Sequence, residues 1–371
     1  MKDNIGNVVQ GLKPTLLMVA VQIAFAGVNV LYKLALNDGM NLRVVSAYRF
    51  VFATAFMAPL ALILERKNRT KMTWMVLFQS FLCGVFGGAL SQILYLESLA
   101  LTSVTFASAM SNLTPAITFI IAASFGLEKI NLKTVAGKAK IVGTITGIGG
   151  AMVLTLVKGM EIKIWSFHHI HLLHHQNGAH QHATSTGKNL LGALCALASS
   201  ISYALWLTIQ KKMTESYQSY YTSTALLSFW ASVLSVLFAL CIERDLSQWR
   251  LGWNVRLLTV AYAGTVVSGL VVVVISWCIQ MRGPLFASVF MPLVLVILAF
   301  LCSPLLNETL YLGSIIGAVL IVCGLYAVIW GKSKEMKMSP LVSSNESDTV
   351  EIVSKSTVSE SEEKSNKNGI K

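Results

Sequence analysis

The stretch "IVGTITGIGGAMVLTLVKG", Ile141 to Gly159, returns in the second half of the chain as "IIGAVLIVCGLYAVIWGKS", Ile315 to Ser333. Gly143 matches Gly317, Gly150 matches Gly324, and Lys158 matches Lys332. Both copies are apolar runs of the length a membrane helix needs, about 20 residues for a hydrocarbon core of roughly 30 Å. The glycines in "GTITGIGG" therefore read as close helix contacts. They do not form a phosphate-binding loop, because they lie within an apolar helix and no strand precedes them.

Three more echoes surround this one. "LALILERKN" near Glu65 recurs as "FALCIERDL" near Glu243. "TFASAM" at Phe106 recurs as "LFASVF" at Phe286. A glutamate follows each of these phenylalanines at the same spacing, Glu128 after Phe106 and Glu308 after Phe286. Four echoes in order, at nearly constant offset, mark two copies of one unit. Ten apolar runs fit that unit, near 14–36, 45–64, 74–97, 103–127, 135–157, 188–210, 221–241, 255–279, 285–306 and 311–330. Each copy thus has five spans. An odd number makes the second copy enter from the opposite side, so the repeats are inverted, a pattern that places substrate at the repeat interface.

The expected fold is an all-α membrane protein of ten transmembrane helices in two inverted five-helix repeats. Composition agrees: 54% of residues are hydrophobic, 12% are charged, and mean hydropathy is +0.65, against about 25% charged in soluble domains. The net charge of +12 sits mostly in short loops, which excludes a nucleic-acid partner in favour of a topology signal. Its densest clusters, "RKNRTK" at 66–71 and "EKINLKTVAGKAK" at 128–140, fall on one side and assign that side to the cytosol. The resulting organisation is a cytosolic N-terminus at 1–13, a first repeat at 14–158, a non-cytosolic loop at 159–187, a second repeat at 188–331 and a disordered cytosolic tail at 332–371. The tail is rich in Ser, Glu and Lys and too poor in apolar residues to fold alone. No cleavable signal peptide is evident ahead of the first run. The six cysteines lie in or beside apolar runs, so they read as small packing residues.

The paired halves resemble the EamA repeats of the drug/metabolite transporter superfamily. "ALNDGMN", "AYRF", "LER", "SNLTPAITF", "LEKINLK", "WCIQMRGP" and "LYLGSIIGAVLIVCGLYAVIWGK" resemble the plant nodulin-like, Walls-Are-Thin-related (UMAMIT) transporters over about residues 10–335. The resemblance implies a facilitator of amino acids, with auxin-related compounds carried by some members, in the plasma membrane or alternatively the tonoplast. It draws Tyr48 and Arg49 of "AYRF" into the substrate path. That family usually writes "FNPL" entering the ninth span, where this chain has "FMPL" with Met291.

Lipid supplies no hydrogen-bond partner, so polar groups inside spans are functional candidates. Arg49, read as shallow in the second span, could attract the carboxylate of an amino acid, with Glu97 holding the arginine or attracting the ammonium. The bland alternative is a snorkelling arginine paired with glutamate. Asn29, Gln92, Asn112, Trp206, Gln210, Trp277 and Gln280 could line a path, or could simply bond neighbouring helices. Pro115, and Pro292 in the second half, each free a carbonyl one turn earlier that a kinked helix could offer to substrate.

All seven histidines fall in "FHHIHLLHHQNGAHQH", Phe167 to His182. His168, His171 and His175 would share a helix face and are weak zinc or copper candidates. The segment otherwise reads as a low-complexity linker, with acid sensing as a further reading. No cofactor is implied, the chain does not read as an enzyme, and the expected partners are a small organic solute and membrane lipid. Small-xxx-small glycine spacing, as at Gly143 and Gly147, leaves a homo-dimer open. A carrier of phosphorylated solutes or nucleotide sugars is a weaker alternative, since it would want several central cations. A membrane sensor of external metal or pH is another.

Overall fold

A computed structural model describes residues 2–66, 72–102, 110–128, 134–157, 161–162, 186–243, 249, 251–252, 254–306, 310–311, 313 and 315–335. Ten helical segments appear among them. They are α1 (Lys2–Asn37), α2 (Leu42–Leu64), α3 (Trp74–Cys83, Gly84–Leu90 and Ser91–Leu101 in continuous sequence), α4 (Thr114–Ser124), α5 (Val135–Leu156), α6 (Thr186–Ser216), α7 (Tyr220–Ile242), α8 (Val255–Arg282), α9 (Pro284–Val289 and Leu293–Leu306) and α10 (Ile315–Glu335). The chain is an all-α membrane protein of the expected class. In lipid every backbone N–H and C=O must be satisfied within the protein, which a helix does within one segment. The one non-helical pairing among the described residues is a two-residue antiparallel bridge, Glu161 with Tyr311 and Ile162 with Leu310.

The inversion of the repeats is visible in how equivalent helices meet. α2 and α7 occupy the same place in the two copies, and they lie antiparallel. Glu65 closes α2 and accepts the backbone N–H groups of Tyr221 and Thr222 at the start of α7, both at 3.0 Å, together with the Thr222 hydroxyl. A carboxylate there satisfies N–H groups that a helix start leaves open, and it complements the helix dipole. Its counterpart Glu243 closes α7 and accepts from the Asn41 side chain, while Asn41 caps α2 through the Arg43 N–H at 2.9 Å. The repeated "ER" motif is therefore a pair of reciprocal ties across a two-fold axis.

Glycines set the remaining contacts. A Cβ on Gly264 of α8 would stand 2.7 Å from the Arg49 carbonyl and 3.0 Å from the Ala53 nitrogen on α2; a Cβ on Gly84 of α3 would stand 3.0 Å from the Leu227 carbonyl and 3.1 Å from the Ala231 nitrogen on α7. The two sets are related by the same offset as the sequence echoes. Gly84 and Gly264 also sit in matching π-helical segments, Gly84–Leu90 and Tyr262–Val271. The opening repeat is explained by the crossing of α5 and α10. The Gly150 Cβ position lies 2.9 Å from the Gly317 carbonyl, and that of Gly324 lies 2.6 Å from the Gly143 carbonyl. Small residues let backbones approach where lipid provides no hydrophobic drive. Gly324→Val forces this crossing apart and is expected to cost about 1–3 kcal/mol. The measurement is melting temperature in detergent, and an unchanged value would mean that α5 and α10 do not rest on this contact.

Four boundaries differ from the sequence reading. α1 starts at Lys2, ahead of its apolar run, because helical residues continue a helix into water. α10 runs on to Glu335, into the segment expected to be tail, where Lys332 and Glu335 find partners. α4 and α9 are both broken, with turns at Asn112–Leu113 and at Phe290–Pro292. The two breaks fall at equivalent places in the repeats. The central apolar cluster lies between the halves and draws Met18 from α1, Cys83 from α3, Trp206 from α6, Ile275 from α8, Phe286 from α9 and Val328 from α10.

Candidate functional site

Arg49 lies within the first two turns of α2, yet its side chain reaches the middle of the bundle. Its Nε donates to Ser268 Oγ at 2.5 Å and a terminal nitrogen donates to the Tyr32 hydroxyl at 3.2 Å. Ser268 is near the midpoint of α8, and Gly264, one turn earlier, brings α8 against the α2 backbone at Arg49. Tyr203 of α6 also lies within electrostatic range of the guanidinium. Four helices from both repeats thus converge on one cation. These two bonds use part of a guanidinium's five-donor fork. The position equivalent to Arg49 in the second repeat is Leu227, which is buried. The site is therefore charged on one side of the axis only.

This places Arg49 deeper than the sequence reading did, because a long side chain measures its depth from its head group and not from its Cα. The expected partnership with Glu97 is also corrected. Glu97 on α3 pairs with Arg43 at the start of α2, 2.7 Å away. Arg43 is one of the loop-side charges, and the two meet at the end of the bundle where Asp38 also binds Arg256 at 2.6 Å. Tyr48, adjacent to Arg49 in sequence, points the other way. It donates to the Trp249 carbonyl at 2.7 Å and meets the Trp249 ring edge-on at 5.6 Å.

The other expected path residues divide. Trp206 and Gln210 on α6 are buried at the repeat interface, at 4% and 0% exposure. Asn112 is buried at the α4 break, with its amide nitrogen lacking a protein partner. Gln92 is half-buried on α3. Asn29 is exposed and donates to the Phe25 carbonyl of its own helix at 2.8 Å. Trp277 and Gln280 belong to the end of the bundle where α1 begins: Trp277 packs under the Lys13 ammonium at 5.6 Å, and the Gln280 carbonyl accepts from Lys211 at 2.9 Å. The prolines do not present free carbonyls. The Ser111 carbonyl that Pro115 vacates accepts the Thr114 hydroxyl at 2.6 Å. The Ser288 carbonyl before Pro292 accepts the Met291 N–H at 3.0 Å.

The comparison with known proteins follows from this architecture. Residues 12–156 and 190–330 each match the EamA-like transporter family. The chain belongs to that family. It is 46% identical over 338 residues to the Arabidopsis thaliana WAT1-related protein At1g68170, covering 91% of this chain and 94% of the relative. It is 45% identical over 334 residues to WAT1-related protein At1g25270 of the same plant, covering 90% and 93%. A solved crystal structure shares the fold at a TM-score of 0.61 and 18% identity, covering 85% of this chain and 98% of that one. The protein is thus an integral, multi-pass membrane transporter of small solutes.

One cluster in the transporter was not anticipated as a unit. Glu128, just beyond α4, is fully buried and accepts from Lys332 of α10 at 2.6 Å, with Lys140 of α5 at 3.4 Å. Lys140 also binds Glu335 at 2.8 Å. Gly283, at φ +88°, allows the α8–α9 turn to pass this cluster: a Cβ there would be 2.7 Å from a Glu128 carboxylate oxygen. The sequence did hold a signal for it. Glutamates echo at 128 and 308 and lysines at 158 and 332, and an inverted repeat brings the end of one copy's fourth helix against the end of the other's fifth. Ser268, Tyr32 and Tyr203 carried no such signal, since a lone hydroxyl in an apolar helix is commonplace. Among the described residues, no group of three His, Cys, Asp or Glu could hold a metal ion. His168, His171 and His175 lie outside the described residues.

Proposed function

We propose that the transporter carries amino acids by facilitated, bidirectional alternating access, with Arg49 receiving the α-carboxylate. The observation that carries this reading is Arg49 itself, a cation at the repeat interface, held by α8 and α1 and unmatched in the second repeat. A carboxylate-bearing zwitterion suits one such charge. A phosphorylated solute or nucleotide sugar would want several cations there, and the other described Lys and Arg residues lie toward helix ends. The basic loops at 66–71 and 128–140 support a cytosolic placement for the bundle end holding Glu65, Glu128 and Lys332. The plasma membrane is the proposed location.

Movement of solute down its own gradient is the simplest coupling. Proton-driven carriers generally place an Asp, Glu or His where a proton can be exchanged across the membrane. Among the described residues, Glu97 and Glu128 lie near span ends and both are paired. The test uses purified protein in liposomes with a panel of amino acids, auxin and sugar phosphates. Amino acids are expected to equilibrate without a pH gradient, and an imposed pH gradient is expected not to concentrate a neutral zwitterion. Uphill accumulation driven by pH alone, lost in Glu97→Gln, would replace the facilitator with a proton-coupled carrier. Uptake restricted to auxin or sugar phosphates would overturn the amino-acid reading.

A further inference from the structure

Two buried polar atoms on α6 have no protein partner, the Trp206 indole Nε1 and the Gln210 Oε1. They are one helical turn apart, so they lie on the same face with Cβ atoms about 5–6 Å from each other. The orientation of the Gln210 amide follows from its neighbour. Ser276 donates its one hydroxyl proton to the Val272 carbonyl at 2.7 Å. Toward Gln210, 2.9 Å away, it therefore acts only as an acceptor. The Gln210 atom facing Ser276 must be the nitrogen, and the oxygen is left as an open acceptor. The indole N–H is a donor and nothing else. Leaving either atom buried and unmet is costly, which favours a ligand that meets both.

We infer that Trp206 and Gln210 form a specificity subsite for a side-chain primary carboxamide, so that the preferred amino acid is glutamine. A carboxamide oxygen accepts from Trp206 Nε1 while its NH2 donates to Gln210 Oε1. A carboxylate brings no proton for Gln210, and an ammonium brings no acceptor for Trp206. A thioether offers no donor. The position also fits. Tyr203 packs edge-on against Trp206 at 5.0 Å and marks the part of α6 near Arg49. At 1.5 Å per residue, Trp206 is about 4.5 Å and Gln210 about 10.5 Å further along α6 from Tyr203. A side chain of glutamine's length spans from a carboxylate at Arg49 to that level, whereas a serine hydroxyl lies too close to its own carboxylate.

This inference rests on the amino-acid reading, and the experiment separates the two. Full-length protein in liposomes is assayed with labelled glutamine, methionine and glutamate, near-isosteres that differ at the distal group. Wild type is expected to favour glutamine by about tenfold or more in kcat/KM, since a site built around hydrogen bonds rejects analogues lacking them. Gln210→Met and Trp206→Phe keep the bulk and remove one bonding atom each, and both are expected to bring the glutamine-to-methionine ratio toward one. A ratio taken within one preparation does not depend on how much of a variant folds. Equal uptake of all three by wild type, or variants that keep the wild-type ratio, would overturn the subsite and leave the amino-acid reading standing. Failure of wild type to carry any amino acid would overturn both.

Discussion

Arg49→Gln is expected to lose most amino-acid uptake while the protein stays folded. The reason is positional. Arg49 holds the charge shared by α1, α2 and α8 near the middle of the bundle, and the equivalent place across the axis is Leu227, so nothing substitutes for it. A hydrogen bond to a charged group is worth about 1.5–3 kcal/mol, and its loss corresponds to roughly ten- to a hundredfold lower uptake at low substrate. Glutamine can still bond Ser268 and Tyr32, which keeps the helices in place and separates binding from folding. Arg49→Lys is expected to keep part of the uptake, because an ammonium retains the charge and loses the planar fork. Ser268→Ala should weaken uptake less than Arg49→Gln does, since it loosens the arginine without removing it. Uptake kinetics at wild-type values in a well-folded Arg49→Gln protein would leave Arg49 a purely structural residue.

Lys332→Met is expected to produce the larger loss of stability, about 3–5 kcal/mol, because it strands a buried carboxylate. Glu128 is fully buried and would keep only Lys140, at 3.4 Å. A second substitution sharpens the test. Lys332→Met combined with Glu128→Leu removes both charges and leaves the Lys140–Glu335 pair at 2.8 Å balanced. A buried ion pair replaced by apolar groups is often neutral in stability, so the double variant is expected to melt well above the single one. Melting of Lys332→Met at the wild-type temperature would show that the pair does not hold this end. Under the proposed rocking of the two halves, the same pair has a second consequence. Glu128 belongs to the first repeat and Lys332 to the second, so their contact must part whenever that end opens.

The membrane class, the ten spans, the two-fold repetition and the family are all legible in the unfolded chain. Those follow from local properties: apolar length is read within one helix, and an offset echo is read between two copies without knowing where either lies. Arg49, Trp206 and Gln210 likewise stand out as unusual residues in apolar runs. Their partners came from the packing of the folded bundle. Glu97 was open to Arg49 or Arg43 on sequence grounds, and the fold gives it to Arg43, because a short step along a helix axis separates a head group at the bundle end from one near its centre. The same holds for Pro115, whose vacated carbonyl is taken by the neighbouring Thr114 hydroxyl, a bond that depends on a turn at Asn112–Leu113 in a run that reads as continuous helix. Glu128 and Lys332 stand far apart in the chain, and charge pairing at that separation is set by the antiparallel return of the second repeat. Spacing along a chain encodes which face of a helix a residue shares. Which helix that face meets depends on packing between elements, and that was legible here only where inversion of the repeats made the pairing a matter of symmetry.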